Sequence, residues 1–301
     1  MRIVTLLPSA TEIVCALGLT ERLVGISHDC DYPPEIGDRR VLSDAIVGPT
    51  MPSGEVDAAI RTQIHTGKSV YHLDSALLAD LAPDLILTQE LCQVCAPSFT
   101  EVRRAARILE GRTQIVSLEP HGLDDILETI REVGRLTGTG AAADALVRSL
   151  GERVERVHQR PAPQPRPRVA CIEWLDPIFI AGHWVPEMIN LAGGRDGLGR
   201  AGKDSYVVEW DALVAYAPEV VVVMPCGFDI ARTRAEMHLL TDRLGWRDLP
   251  AVRASRVFVT DASAYFSRPG PRIVRGLEIL AELARAGPGP LSVEGAARLV
   301  C

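Results

Sequence analysis

Apolar and polar positions alternate along this chain in a pattern that predicts strands and helices in turn. The first apolar run, at 3–7, predicts a buried strand that Pro8 is expected to end. Apolar positions then recur with helical spacing over 10–18, and Ser9 or Thr11 is the expected cap of that helix. A strand that leads through a turn into a helix is an arrangement in which helix N–H groups often face a ligand.

The alternation continues to the end of the chain and indicates an α/β protein. Further strands are predicted at 23–27, 85–88, 114–120, 168–174 and 256–261, and further helices at 98–111, 122–138, 140–160, 185–194 and 271–286. Short helices are also expected before the apolar strands that follow the two Ala-Pro pairs.

Two stretches share one plan, which indicates two lobes of similar design. DSALLADLAPDLILTQ (74–89) and WDALVAYAPEVVVVMP (210–225) each have an acidic residue within their first two positions. Each continues through a short helix and an Ala-Pro-acid step into an apolar strand. The long helical pattern between the lobes ends in PAPQPRP, a low-complexity linker. We therefore predict an N-terminal lobe (1–138), a bridging helix (139–160) and a C-terminal lobe (161–301).

Composition and charge exclude several classes of function. Of the 301 residues, 47% are apolar and 24% charged, which is typical of a globular protein with a sizeable core. The net charge of −7, without a basic stripe, argues against nucleic-acid binding. No apolar run reaches the length of a membrane span. The start as written shows no signal peptide, and the odd number of cysteines, seven, does not suggest a disulfide framework. Both points favour a cytoplasmic protein, unless an exported form is written without its leader.

Familiar catalytic motifs are missing from the sequence. It contains no G-x-S-x-G elbow, no G-x-x-x-x-G-K-[ST] phosphate loop and no H-E-x-x-H helix. The glycine-rich stretch at 193–205 follows a predicted helix instead of opening one after a strand. A dinucleotide site is therefore excluded by context, and we expect a flexible loop there.

Four residues of types that bind metals, one histidine and three cysteines, follow predicted strand ends. His28 and Cys30 come after the second strand, and Cys92 and Cys95 come after the strand at 85–88. This set fits a tetrahedral zinc site, a redox-active thiol pair, or small apolar side chains that line a pocket wall. The third interpretation is favoured, because one C-x-x-C without a second pair is weak evidence for a metal.

Aromatic residues are scarce, at 5%, and most lie just beyond strand ends or in loops. Those of interest are Tyr71, Trp174, Trp184, Tyr206, Tyr265 and Phe266. We expect Trp174, Trp184 and Phe266 to face a ligand, because ligand sites are mostly apolar and aromatic. Trp210 and Trp246 are predicted to pack in the core.

Several stretches together resemble the vitamin B12-binding receptors of bacterial ABC importers. They are RIVTLLPSATEIVCALGL with LVGISHDCDYPP, then LADLAPDLILTQ, the long linking helix, and YFSRPGPRIVRGLEIL. These receptors belong to a class of metal-chelate receptors in which a rigid helix joins two Rossmann-like lobes. The resemblance implies a protein without catalytic activity that holds a corrinoid between its lobes and closes only slightly. It also implies an extracytoplasmic monomer that delivers its ligand to the permease dimer of an ABC transporter.

The resemblance also implies roles for particular residues. The expected ligand contacts that it carries are His28, Asp29, Cys30, Tyr71, Trp174, and Tyr265 or Phe266. The receptors present one acidic residue per lobe to the transporter, and Asp211 matches the position in the second lobe. The position in the first lobe falls on Ala76, so Asp74 is the expected substitute.

The chemistry of a corrin ring suggests further contacts, because the ring is large, flat and mostly apolar with amide arms at its rim. Polar side chains and backbone N–H groups take the amides, and aromatic faces cover the ring. The remaining expected contacts are Ser9, Thr11, Gln89, Glu90, Cys92, His183, Trp184, Tyr206 and Arg268. His28 or His183 is a candidate cobalt ligand, although a histidine bonded to water or backbone at the rim is the favoured alternative.

Two other functions stay open on the sequence. One is a receptor of the same fold for haem or an iron chelate; the scarcity of Arg clusters argues against anionic siderophores. The other is a metal-dependent or redox enzyme that uses Cys92 and Cys95 with His28. No catalytic cofactor is expected for the leading interpretation.

Overall fold

The structure is a computed structural model that describes residues 1–48, 50–66, 70–89, 113–287 and 289–299. The chain divides into two compact units, and three of the helices contribute residues to both. Unit 1 comprises Met1–Met51, Glu55–Pro120 and Asp125–Arg148, and unit 2 comprises Pro52–Gly54, His121–Asp124 and Ser149–Cys301. The predicted helix at 98–111 and the candidate residues Glu90, Cys92 and Cys95 lie outside the described residues.

Unit 1 is built around a parallel sheet, as the alternating pattern predicted. Its strands are β1 (Ile3–Thr5), β2 (Leu23–Ile26), β3 (Arg40–Val41), the antiparallel pair β4 (Ser43–Ala45) and β5 (Tyr71–Leu73), β6 (Leu85–Thr88) and β7 (Gln114–Ser117). Its helices, including those shared with unit 2, are α1 (Pro8–Ala16), α2 (Ser53–His65), α3 (Ser75–Leu81), α4 (Leu123–Thr137) and α5 (Gly140–His158). The parallel strands run in the order β3-β2-β1-β6-β7. This order brings the segments that follow β1, β2 and β6 to one edge of the sheet.

The first strand ends earlier than predicted, because Pro8 begins a helix instead of ending a strand. Proline suits the first helical position, where the missing N–H would have no partner within the helix. Leu7 is the residue before the helix, and no side chain caps it. The capping roles predicted for Ser9 and Thr11 are therefore wrong, and both side chains are buried.

Unit 2 has a mixed sheet whose centre is parallel and whose edges are antiparallel. Its strands are β8 (Val169–Leu175), β9 (Ile178–Ile180), β10 (Tyr206–Val207), β11 (Val220–Val223), β12 (Val257–Thr260) and β13 (Ala296–Arg298), in the order β10-β9-β8-β11-β12-β13. Its helices are α6 (Val185–Leu191), α7 (Trp210–Tyr216), α8 (Ile230–Glu236), α9 (His238–Thr241), α10 (Pro250–Arg253), α11 (Ala262–Tyr265) and α12 (Ile273–Leu283). The β8–β9 hairpin and the β13 edge were not predicted.

The internal repeat predicted from the sequence is confirmed down to single hydrogen bonds. Helices α3 and α7 both end on an alanine in the left-handed region, Ala82 at φ 39° and Ala217 at φ 49°. In unit 1 the Arg2 carbonyl accepts the N–H of Asp84, and in unit 2 the Arg168 carbonyl accepts the N–H of Glu219, at 2.9 and 2.8 Å. The carboxylate of each acid accepts the backbone N–H of its arginine in return.

Each of these arginines also donates its Nε to a carbonyl at the C-terminal end of the helix that precedes its acidic partner. The acceptor for Arg2 is the carbonyl of Leu81 at 2.7 Å, and the acceptor for Arg168 is the carbonyl of Ala217 at 2.8 Å. The two strand entries therefore share their arginine–acid hydrogen bonds and differ by one position in the acceptor of the arginine Nε, and the likeness of the two sequence stretches is not a coincidence.

Replacing Ala217 with glycine is expected to stabilise the protein by about 1 kcal/mol. A left-handed conformation strains any side chain with a Cβ but not glycine. Equilibrium urea unfolding measures the difference. Ala215→Gly, within α7 itself, is the matched control and should instead destabilise by about 1 kcal/mol. Equal effects of the two substitutions would contradict the prediction.

Within unit 2, a bidentate ion pair joins the C-terminal half of α5 to α12. Arg153 donates its Nε and Nη2 to the two carboxylate oxygens of Glu278 on α12, at 2.8 and 2.9 Å. The hydrogen bonds lower the pKa of Glu278 and raise that of Arg153. Planar bidentate geometry of this kind is stronger and more directional than a single surface contact. It fixes the orientation of this half of α5 relative to α12.

Candidate functional site

The loop after β2 places His28 among polar partners in unit 1. Its Nδ1 lies 3.0 Å from the Ser43 hydroxyl, and its Nε2 lies 3.4 Å from a carboxylate oxygen of Asp29. The ring centroid is 5.4 Å from that of Tyr71, which is mostly buried. Because the Ser43 hydroxyl accepts the backbone N–H of His28, it is placed to donate its own proton to Nδ1. This arrangement favours the proton on Nε2, directed at Asp29, and fits a rim histidine better than a metal ligand.

Cys30 and Thr11 form a small hydrogen-bonded group behind that loop. The Cys30 sulfur lies 3.0 Å from the Thr11 hydroxyl and 3.2 Å from the Ser27 hydroxyl. The Thr11 hydroxyl also lies 2.6 Å from that of Thr5. Thr11 has no exposed surface and Ser9 only 3%. The expectation that these two side chains form a ligand rim is therefore wrong; Thr11 joins α1 to the His28 loop.

Trp174 lies at the carboxyl end of β8 in unit 2 with its ring partly exposed. Its Nε1 donates to the carbonyl oxygens of Ser53 and Asp176, both at 3.2 Å. The ring meets that of Phe228 nearly edge to face, at 5.2 Å between centroids and 65° between planes. The guanidinium of Arg232 covers Phe228 at 3.6 Å from its centroid. Trp174 is thus an aromatic surface held in one orientation.

Phe228 and Arg232 were missed by sequence reasoning. Phe228 follows β11 by a few residues, and an aromatic residue beyond a strand end was the signal used for the other candidates. It is almost completely buried. Its contribution is to support the Trp174 ring from below.

The expectation that Trp184 and Phe266 face a ligand is wrong. Their exposed fractions are 6% and 3%, and the Trp184 Nε1 donates to the Phe266 carbonyl oxygen at 2.9 Å. A bulky ring with its polar atom satisfied internally belongs to the core. Trp246 is buried in the core and Trp210 packs against it, as predicted.

Tyr206 is engaged in the glycine-rich loop. Its hydroxyl donates to the Leu198 carbonyl at 2.7 Å, and the Arg200 guanidinium lies 4.4 Å from its ring. Asp196 accepts the N–H groups of Leu198 and Gly199 in the same loop. These contacts tie the segment that we expected to be flexible at several points.

The other candidates in the described residues have varied surroundings. Tyr265 packs close to Gly295, where a Cβ would meet its ring. Gln89 is 5% exposed, whereas Arg268 is partly exposed. His183 has its Nε2 3.4 Å from a carboxylate oxygen of Asp204, and burial lowers the pKa of His183. That shift favours the neutral imidazole.

The two acidic residues expected to dock on a transporter are both exposed. Asp74 accepts the N–H of Leu77 at 2.9 Å and thereby caps α3. Asp211 lies in the first turn of α7. Each unit thus places one of these acids at the start of a repeated helix, although Asp74 is the capping residue and Asp211 lies within the first turn.

Glu173 is a site candidate that sequence reasoning did not single out. It precedes Trp174, and burial raises the pKa of its carboxyl to about 7, although a hydrogen bond from the Gly182 N–H to Oε2, at 3.4 Å, opposes the shift. The side chain keeps some exposure. The signal in the sequence that could have identified Glu173 is the presence of an acidic residue inside the mostly apolar run RVACIEW.

Within the described part of the chain, no three His, Cys, Asp or Glu side chains are grouped so as to hold a metal ion. The metal set of His28, Cys30, Cys92 and Cys95 stays a prediction, because the last two lie outside that part. None of the described helices combines the length and the apolar character needed to span a membrane.

The match to a known family covers most of the chain. Residues 3–264 match a family described as periplasmic binding protein. This chain belongs to the periplasmic binding protein family. The α/β architecture with two sheet-containing units agrees with that family, and the prediction of the fold class is confirmed.

Several relatives of this periplasmic binding protein are named after a ligand or a transporter. An uncharacterised ABC transporter substrate-binding lipoprotein of Bacillus subtilis is 25% identical over 288 residues, which is 93% of this chain and 79% of the relative. A vitamin B12-binding protein of Vibrio cholerae is 23% identical over 283 residues, covering 92% and 86% of the two chains. The crystal structure of a periplasmic haem-binding protein of Pseudomonas aeruginosa superposes with a TM-score of 0.70 at 20% identity, covering 100% and 98%. The resemblance to B12-binding receptors and their class is thereby confirmed. The relatives are binding proteins, and the structural likeness establishes the fold.

Proposed function

We propose that this periplasmic binding protein captures cobalamin or a related corrinoid and delivers it to an ABC transporter, working outside the cytoplasm. The observation that carries the proposal is Trp174. A partly exposed ring that is held by two hydrogen bonds and an edge contact offers a fixed apolar face at the carboxyl end of a sheet. Ligand sites of α/β proteins form at such strand ends. The B12-binding relative, which aligns over 92% of this chain, supports the choice of ligand.

A corrin ring suits these surroundings because its face is apolar and its rim carries amides. Trp174 would cover part of the face. In unit 1, Asp29 and the His28 ring offer an acceptor and a polar edge for the amide arms, and Tyr71 supports the His28 ring.

Transporter docking would use the two exposed acids at the starts of the repeated helices. Each unit offers one acid near the start of its repeated helix, Asp74 as the cap of α3 and Asp211 in the first turn of α7, which suits a partner made of two like subunits. Basic residues on a permease dimer would be the complementary groups.

Isothermal titration of reduced, chelator-treated protein with cyanocobalamin tests the proposal, with haemin as the competitor. Saturable one-to-one binding at about micromolar affinity or tighter is expected. Tight haemin binding without a response to cyanocobalamin would instead support the haem or iron-chelate alternative, which the haem-binding structure keeps in view. An unresponsive protein would contradict both.

A thiol-dependent function makes a different prediction. If Cys92 and Cys95 formed a metal or redox centre with His28, Cys92→Ser would abolish stoichiometric zinc or a titratable disulfide. The proposed function predicts that Cys92→Ser leaves the fold intact and changes cyanocobalamin affinity only slightly. Metal analysis and thiol titration of the wild type and the variant separate the two.

A further inference from the structure

Glu173 sits at an irregularity of the unit 2 sheet next to the proposed ligand face. The β8–β9 register shifts between Ile172 and Trp174, so Glu173 is the extra residue of a β-bulge. Its carbonyl accepts the N–H of Cys226, which lies after β11. Bulges next to functional sites redirect a side chain out of the regular alternation of a strand.

Few interactions offset the cost of burying the Glu173 carboxyl. Within the described residues its hydrogen-bond donor is the Gly182 N–H at 3.4 Å, a long contact, and it forms no ion pair. Burial and that hydrogen bond account for its shifted pKa. A carboxylate that is withdrawn from water without a cation is costly, unless a bound molecule provides hydrogen-bond donors.

We propose that Glu173 selects ligands with neutral carboxamide arms against ligands with carboxylates at the same position. The inference rests on the proposed corrinoid function and extends it to a specificity-determining residue. A carboxamide provides N–H donors to an ionised Glu173 and a carbonyl acceptor to a protonated one. A carboxylate has no N–H donor for the ionised Glu173, and its negative charge repels that form. The same charge would disfavour the propionates of haem.

The selection has a defined dependence on pH, because the pKa of Glu173 is about 7. The titratable groups beside it are the Cys171 thiol on β8, the Cys226 thiol after β11, and His183 after Gly182. Asp196 acts on Cys171 from the glycine-rich loop, and Asp204 and His121 act on His183. Burial raises the pKa of Cys171 well above 9 and lowers that of His183. These two groups thus stay neutral while Glu173 ionises above about pH 7.

A paired set of ligands and variants tests the proposal. The probes are cyanocobalamin and each of the isomeric monocarboxylic acids made by hydrolysing one peripheral propionamide. Calorimetry gives the affinity of wild type, Glu173→Gln and Glu209→Gln for each at about pH 8. Glu209 is an exposed acid before α7 that makes no capping hydrogen bond, so E209Q controls for net charge. We expect wild type and E209Q to bind at least one of the acids about ten-fold more weakly than cyanocobalamin. E173Q should remove this gap in affinity between the acid and cyanocobalamin.

The outcomes separate this inference from the function on which it rests. A wild type that binds cyanocobalamin but shows no gap for any acid, or a gap that E173Q leaves unchanged, overturns the role of Glu173 alone. A wild type that binds no corrinoid overturns both. If E173Q does not fold, the wild type decides alone: the gap must shrink as pH falls to about 6, and a constant gap overturns the inference.

Discussion

Replacing Trp174 with alanine is expected to weaken cyanocobalamin binding by about 100-fold, equivalent to about 2.7 kcal/mol. The indole supplies a large apolar face and is held in place before the ligand arrives, so it loses little entropy on binding. Alanine removes the part of the ring cover that Trp174 would supply. Calorimetric titration of the variant against the wild type measures the loss.

Two controls locate the effect in the aromatic face. Trp174→Phe keeps a ring against Phe228 but loses both Nε1 hydrogen bonds, and should cost less than about ten-fold. Tyr216→Phe removes a hydroxyl that donates to the Arg195 carbonyl elsewhere in unit 2 and should leave affinity unchanged. Far-UV circular dichroism verifies that each variant is folded. Wild-type affinity in Trp174→Ala would remove Trp174 from the site.

Glu173→Gln is expected to stabilise the free protein at alkaline pH by about 3 kcal/mol and to have little effect in acid. Folding raises the pKa of Glu173 from its ordinary value of 4.5 to about 7, so the folded state holds a proton that the unfolded state releases. Below about pH 4.5 both states are protonated and there is no penalty. As pH rises towards 7 the wild type loses stability, and above 7 it carries the full cost of a charged, largely buried carboxylate. Glutamine has no such titration.

Urea unfolding of both proteins between about pH 4 and pH 8 tests this prediction. The free energy difference between variant and wild type should rise over that interval and level off above about pH 7. Glu209→Gln, which removes an exposed charge, should give a small difference that does not follow the same curve. A difference for E173Q that is independent of pH would mean that Glu173 has an ordinary pKa in the folded protein.

The two expected results concern neighbouring residues with different roles. Trp174 favours ligand binding, whereas Glu173 lowers the stability of the free protein. Trp174 is a supported aromatic face, whereas Glu173 is an under-compensated acid that lowers stability at neutral and alkaline pH. Destabilising groups of this kind are common at functional sites, where a residue needed for binding lowers the stability of the folded protein. A protein in which E173Q is more stable but less selective would show that trade directly.

Local sequence patterns predicted the framework well because they act within a few residues. The strands β2, β6, β8 and β12 fall within a residue or two of the predicted bounds, since short apolar runs between turn residues leave few alternatives. The Ala-Pro steps were recognised as repeated strand entries. Their shared arginine–acid hydrogen bonds could not be recognised, because Arg2 and Asp84 are far apart in the sequence.

The errors came from features that local patterns do not encode. Pro8 is compatible with both a strand end and a helix start, and neither its fixed φ nor its missing N–H decides between them. Trp184 and Phe266 lie after strand ends, as a ligand-facing aromatic would. They contact each other across 82 residues of sequence and are buried. The position of a residue along the chain predicts how deeply its side chain is buried only when the packing of the other elements is known.

The sequence by itself determined an α/β chain with two repeated halves and a long helix between their strand patterns, because hydrophobic periodicity, proline and glycine act locally. It also carried the family, through motifs spread over most of its length. Only the tertiary structure decided which candidates have accessible surface and which are buried. It fixed the Trp174 ring through Phe228 and placed Glu173 in a bulge where no cation of the described residues pairs with it. These features arise from contacts between distant segments, and burial and the loss of water are properties of the packed whole.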